Sequence, residues 1–283
     1  MPGKNREIKM EPNKKIIYNH KAIIEKDREV IPEIFDYLLN DPEKLELIQR
    51  NKSKNTAVFY YNHEGNGYFI KHFFFRKWSY ALKEIIGSPI GLTSYRKSIK
   101  MTVKDIPVAT PLAAIIYEGT KSKKDSVYIS RELENSLVVN DLIRENRVKE
   151  ISDDNIKNLT LQMADIWAKL LNNNFIHKDP NAKNFMIKDL NGTPEIYLID
   201  IADVFDLPVA PEFLKIHALA RFFGKFAKSF IKSEAEFDSK YLDLFEERFV
   251  QSYEFKGSKA KFIAKVKKLA RKKYQWRIDR DRS

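Results

Sequence analysis

Phe175-Ile176-His177-Lys178-Asp179-Pro180-Asn181-Ala182-Lys183-Asn184-Phe185-Met186-Ile187, followed after an Asn191-Gly192 turn by Ile196-Tyr197-Leu198-Ile199-Asp200-Ile201-Ala202-Asp203, is the stretch that decides the fold of this chain. His177 and Asp179 taken alone read as surface turn residues, and Asp200 as a strand cap. The pattern says more. H-x-D-x-x-x-x-N follows an amphipathic helix, precedes an apolar strand, and is joined by an I-D pair whose Asp stands sixteen residues after the Asn. Phosphoryl transfer wants this set. A carboxylate must orient the attacking hydroxyl and take its proton, and two more oxygen ligands must hold Mg²⁺ against nucleotide phosphates, because a hard cation prefers oxygen. One loop and one hairpin supply all three, with His177 bracing the loop through a side-chain hydrogen bond.

Upstream, Ser152 and Asp153-Asp154 are caps for a helix over 153–173. It carries Ile156, Leu159, Met163, Ile166 and Leu170 at helical spacing and ends in Asn172-Asn173-Asn174. Further helical patterns occupy 212–232, 236–252 and 258–276. The first half is different. Ala57–Tyr61 and Tyr68–Phe73 are aromatic and branched runs around Asn62-His63-Glu64-Gly65-Asn66-Gly67, which predicts a hairpin. Ile31 to Gln49 reads as helical or mixed, with Pro32 and Pro42 near helix starts, and Ile16-Ile17-Tyr18 as a short β patch. A helix from Ser88-Pro89 to about Lys104 follows the third strand, and strands at Pro111–Tyr117 and Val127–Leu133 flank the polar turn at 119–125. A β-rich half before an α-rich half predicts an α+β chain of two lobes.

The segment 175–203 resembles the catalytic loop and metal motif of the protein-kinase-like superfamily, with Asp200-Ile201-Ala202 where protein kinases have D-F-G. Loss of that Gly, and Asn181 in place of the usual Lys, lean toward its small-molecule branches. Asn51-Lys52-Ser53-Lys54-Asn55-Thr56-Ala57-Val58, Tyr68-Phe69-Ile70-Lys71, Asp105-Ile106-Pro107-Val108-Ala109-Thr110-Pro111-Leu112-Ala113 and Leu198-Ile199-Asp200 are similar to stretches of the lipopolysaccharide core kinases, which phosphorylate Kdo or heptose sugars. That resemblance implies a bilobal protein-kinase-like fold, with an antiparallel-sheet N-lobe and a mainly helical C-lobe. It divides the chain into an extension (1–45), an N-lobe (46–134), a C-lobe (135–255) and a basic segment (256–283).

The resemblance also implies roles. Asp179 is the catalytic base, His177 supports it, and Asn184 and Asp200 hold Mg. Lys71 contacts the α- and β-phosphates of ATP, with Lys52 or Lys54 neutralising phosphate charge in a loop that lacks the usual glycines. The backbone at Glu132 and Leu133 holds adenine. No Glu stands between Ile85 and Tyr117 to pair with Lys71 as in protein kinases, and no A-P-E-like segment follows Asp203. The implied activity is transfer of phosphate from ATP to a sugar hydroxyl of a lipopolysaccharide core or related glycolipid. The alternatives are a kinase of another small molecule or of protein Ser/Thr, and a pseudokinase or basic scaffold.

The bulk numbers accord with an enzyme. At 283 residues, 43% hydrophobic with nineteen Phe, the chain can bury a sizeable core. It has no Cys, which excludes disulfides and cysteine zinc sites and fits a reducing compartment. The net charge of +12 is concentrated: residues 256–282 hold twelve Lys or Arg against Asp279 and Asp281. There Phe262, Ile263, Val266, Leu269 and Ala270 recur at helical spacing among basic residues. Such a helix either packs on the lobe with a solvated basic face or lies on anionic lipid; nucleic acid is disfavoured, since no recognition motif accompanies the charge. The N-terminal basic stretch lacks the apolar run of a signal peptide, and no run approaches the roughly 18 apolar residues of a membrane span. A cytoplasmic protein, peripheral on the inner membrane's cytoplasmic face, is expected.

Overall fold

Alternation sets the first unit of the chain. In a computed structural model that describes residues 14–53, 55–74, 88–119, 123–190, 192–232 and 240–282, the runs around Glu64-Gly65 pair as the strands β3 (Thr56–His63) and β4 (Asn66–Phe73). Both turn residues have positive φ, 49° and 81°, as a two-residue hairpin of matching twist requires. With β1 (Lys14–Tyr18), β2 (Glu46–Asn51), β5 (Pro111–Gly119) and β6 (Lys123–Arg131) they form a six-stranded antiparallel sheet in the order β1-β5-β6-β4-β3-β2. The helix α1 (Glu25–Asn40) buries Val30, Ile31, Ile34, Phe35 and Leu38 in one cluster with Tyr68, Ile70, Leu112, Ile115 and Val127 of that sheet.

Two expectations for this region are corrected. The helix begins at Glu25, so Pro32 lies inside it rather than at its start, and the end of the stretch read as helical or mixed belongs to a strand, Glu46–Asn51. The start is set by Asp27, whose carboxylate accepts from the Ile24 N–H at 2.9 Å. That side chain is fully buried, and also takes the Tyr68 hydroxyl (2.9 Å) and the Arg131 guanidinium (2.6 Å). Lys71 accordingly stands on the fourth strand rather than the third. Residues 14–40, set apart above as extension, supply an edge strand and the helix of this unit.

His72, on β4, is 4% exposed and meets the Tyr117 hydroxyl at 2.6 Å. Burial lowers its pKa from 6.5 to about 4. The unfolded chain therefore holds the proton more tightly, so this stability is complete above about pH 6.5 and is lost as pH falls toward 4. The loss is on the order of 3 kcal/mol. Urea unfolding at pH 7 and pH 4.5 should show it, and His72→Gln should shrink the difference; an unchanged difference in that variant would refute the assignment.

The two compact units of the chain are 1–96 with 110–132, and 97–109 with 133–283. The helix α2 (Ile90–Val103) runs from the first into the second. In the second unit a strand β7 (Ser136–Val138) and a short helix α3 (Val139–Arg144) precede α4 (Asp153–Asn172). Ser152 caps α4 by accepting from Asn155 N–H at 3.2 Å. Its inner face buries Leu159, Met163, Ile166, Trp167 and Leu170, and Trp167 packs 4.9 Å from Phe222 of α5 (Glu212–Lys232). The helices α6 (Lys240–Ser252) and α7 (Lys259–Arg282) complete the unit. On α7, Phe262 and Val266 are each 2% exposed within its core, so the apolar stripe of the basic segment is spent on packing, while Lys259, Lys261, Lys265 and Lys268 face solvent. An antiparallel sheet in the N-terminal half and a mainly helical C-terminal half make the chain α+β, as expected.

Candidate active site

The loop that follows α4 is built by two very small sheets. β8 (Phe175–His177) pairs with β11 (Val204–Asp206), and β9 (Phe185–Lys188) pairs with both β10 (Glu195–Leu198) and β7. Two backbone bonds tie the ends of the motif: Lys178 N–H to the Asp203 carbonyl (2.8 Å) and Ile199 N–H to the Asn184 carbonyl (2.7 Å). Residues 177–184 and 199–203 are thereby one structure, although fourteen residues separate them in the chain.

Within it, the Asn184 amide is 5% exposed and tied into the loop. Its Nδ2 donates to the Asp179 carbonyl at 2.9 Å and meets His177 Nε2 at 3.1 Å. The amide oxygen Oδ1 is an acceptor of the kind that a hard cation takes. Asn184 thus fits a magnesium ligand. The Asp179 N–H donates to His177 Nδ1 at 3.3 Å, so the loop meets both nitrogens of the ring.

His177 is 1% exposed, and burial above all lowers its pKa, to about 4, against the opposing fields of Asp200 and Asp203. It is neutral near pH 7 and serves as a brace. Asp200 adopts a left-handed conformation, φ 59° and ψ 51°, costly for a residue with a Cβ and concentrated in proteins at functional turns. The turn after it is held by Lys97 of α2, whose ammonium donates to the carbonyls of Ile201 (2.7 Å), Val204 (2.6 Å) and Ala202 (3.3 Å).

Asp179 itself is half exposed and ion-paired to Lys225 of α5, and one helical turn earlier Arg221 donates to the Lys178 carbonyl. Lys97, Arg221 and Lys225 were not singled out from the sequence. A lysine on a helix usually reads as a solvated face, and nothing local to any of the three marks it out.

Of the remaining predicted residues, Lys71, Lys52 and Glu132 belong to the first unit and Leu133 to the second. Lys71 is half-buried on β4 between the buried Ile70 and His72, with its Nζ 5.7 Å from the centre of the Phe73 ring. Lys52 is exposed in the β2–β3 turn, closed by Asn55 at φ 47°; Lys54 lies outside the described residues. Glu132 ends the first unit and Leu133 begins the second. Glu132 N–H donates to the Gly67 carbonyl at 2.9 Å, and its carboxylate accepts from the Tyr60 hydroxyl at 2.8 Å. A Cβ at Gly67 would stand 1.8 Å from that carboxylate, so a larger residue there requires the Glu132 side chain to move. Among the described residues no group of three or more His, Cys, Asp or Glu side chains gathers as a metal cluster, and no helix is long and apolar enough to cross a membrane.

The chain matches no protein-family model and no curated protein. Its fold is similar to that of a solved structure described as WaaP in complex with acyl carrier protein. The match covers 86% of this chain and 97% of that one at 14% identity, with a TM-score of 0.58. At that identity the likeness is one of fold, and the fold is the protein-kinase-like one.

Proposed function

We propose that this chain is an ATP-dependent kinase that phosphorylates a sugar hydroxyl of a lipopolysaccharide core or related glycolipid. One observation carries the reading: a single hydrogen-bonded loop brings together a half-exposed carboxylate, Asp179, and a buried amide, Asn184, which donates to the Asp179 carbonyl. The Asn184 carbonyl accepts from the N–H of Ile199, the residue before Asp200. The structure of similar fold is that of a lipopolysaccharide core heptose kinase, which favours a sugar as the acceptor.

In this reading Asp179 orients the acceptor hydroxyl and accepts its proton, while His177 stays neutral and holds the loop. Asn184 Oδ1 and the Asp200 carboxylate hold magnesium, which when bound neutralises charge on the nucleotide phosphates. Lys71, Lys52 and Lys54 meet those phosphates. Glu132, its N–H engaged by Gly67, offers adenine its carbonyl, and Leu133 its backbone.

The outward face of α7 supplies Lys and Arg to anionic lipid, each worth about 1 kcal/mol near the surface. Because the stripe of that helix is packed inside, the contact is electrostatic and weakens with salt. Acyl carrier protein, the companion of the similar structure, is a further partner to test. The second unit holds an apolar cavity of about 1070 Å³, lined by Leu142, Ile156, Met163, Phe222, Phe226 and Phe245, with room for an acyl chain.

The test is incubation of the purified full chain with ATP, Mg²⁺ and core glycolipid bearing Kdo and heptose, read by mass spectrometry. A gain of one phosphate on the core sugar is expected. Phosphate on protein Ser/Thr instead would replace the acceptor, and no transfer to any acceptor would remove the kinase reading.

A further inference from the structure

We propose that Lys225 is a positioning residue of the reaction: a cation delivered by α5 that pins the Asp179 carboxylate and counters its charge where the donor phosphate approaches. The inference rests on the kinase reading above.

Lys225 is well placed for this. Its side chain is 16% exposed while that of its partner Asp179 is 48% exposed, so packing fixes the base of the lysine and only the pair's outer end meets solvent. Arg221, four residues earlier on the same helix face, donates to the carbonyl of Lys178, the residue before the base. Two cations of one helix therefore grip adjacent residues of one loop.

The loop does not supply this charge from its own basic residues. Lys178 and Lys183 are exposed. Asn181, two positions after the base, is used within the loop: its Nδ2 donates to the Asp179 carbonyl at 3.1 Å and its Oδ1 accepts from Lys183 N–H at 3.0 Å.

The chemistry needs such a charge. The acceptor oxygen forms a bond to the γ-phosphorus as the bond from that phosphorus to the β,γ-bridging oxygen breaks. ADP leaves with the electron pair, and the hydroxyl proton passes to Asp179. An anionic base beside the phosphoryl oxygens repels them, and an ammonium paired with it relieves that repulsion as the two converge.

The test compares wild type with Lys225→Met, Lys225→Gln and Lys225→Arg, all full length, using ATP–Mg²⁺ and core glycolipid. Lys225→Met should lower kcat about 100-fold, with KM for ATP within about twofold and thermal unfolding unchanged. Lys225→Arg should recover to within about tenfold of wild type, since charge is the requirement. In an Asp179→Asn background, Lys225→Met should add nothing, as two residues acting as a unit do not add. If the methionine variant does not fold, the Gln and Arg variants make the same contrast. A kcat within about threefold of wild type for the uncharged variants, or a full additive loss in the double variant, overturns the proposal while leaving the kinase reading intact. Absence of transfer by wild type overturns both.

Discussion

Asp179→Asn in the full chain is expected to lower phosphate transfer from ATP by about a thousandfold, the scale of a lost general base. The variant suits the question because it leaves the loop in place. What Asn184 and Asn181 bind at residue 179 is its carbonyl oxygen, at 2.9 and 3.1 Å, and that atom survives the change. The amide keeps the shape of the carboxylate but cannot take a proton. Thermal unfolding of the variant should stay close to wild type, and ATP binding should persist. Activity within tenfold of wild type would show that Asp179 is not the base, whatever else the loop does.

The largest effect on stability is expected in the first unit. Asp27→Ala should cost about 3–5 kcal/mol in urea unfolding, the range for breaking a buried, hydrogen-bonded ion pair. The substitution removes the first-turn acceptor of α1, strands the Tyr68 hydroxyl inside the sheet's core, and leaves Arg131 without the carboxylate 2.6 Å away. Asp27→Asn should lose less, since an amide oxygen still accepts from one donor. A loss under about 1 kcal/mol for the alanine variant would mean that water or a neighbour takes over, and the pair would then be incidental.

These two predictions differ in how readable their residues were. Asp179, His177, Asn184 and Asp200 lie within one short stretch, and spacing alone grouped them. The strands were legible because a pleated, half-buried surface imposes a period of two on Ala57–Tyr61 and Tyr68–Phe73. Asp27 was hidden, since its partners lie 41 and 104 residues away and an Asp in a charged stretch looks solvated. The start of α1 was misplaced for the same reason: Pro32 is a conspicuous local signal, whereas the carboxylate that starts the helix shows its importance only when buried. Lys97, Arg221 and Lys225 share this illegibility. Each acts by reaching another element, and no period along the chain marks which lysine will do so.

The basic helix α7 divides its labour between its two sides. Phe262 and Val266 are locked into the interior, so substitutions there are paid for in folding; the lysines opposite are exposed, with Lys267 paired to Glu246 at the surface. Cutting the helix away would uncover Phe249 and Tyr253, which stack against Phe262, and so would confound any loss of surface binding with a loss of structure. The outer charges, by contrast, are free to drift. Lineages could strengthen or weaken adhesion to an anionic surface one residue at a time, without passing through an unfolded intermediate. In the reading proposed above, attraction to a surface is then tuned on one side of a helix while the other side keeps the fold.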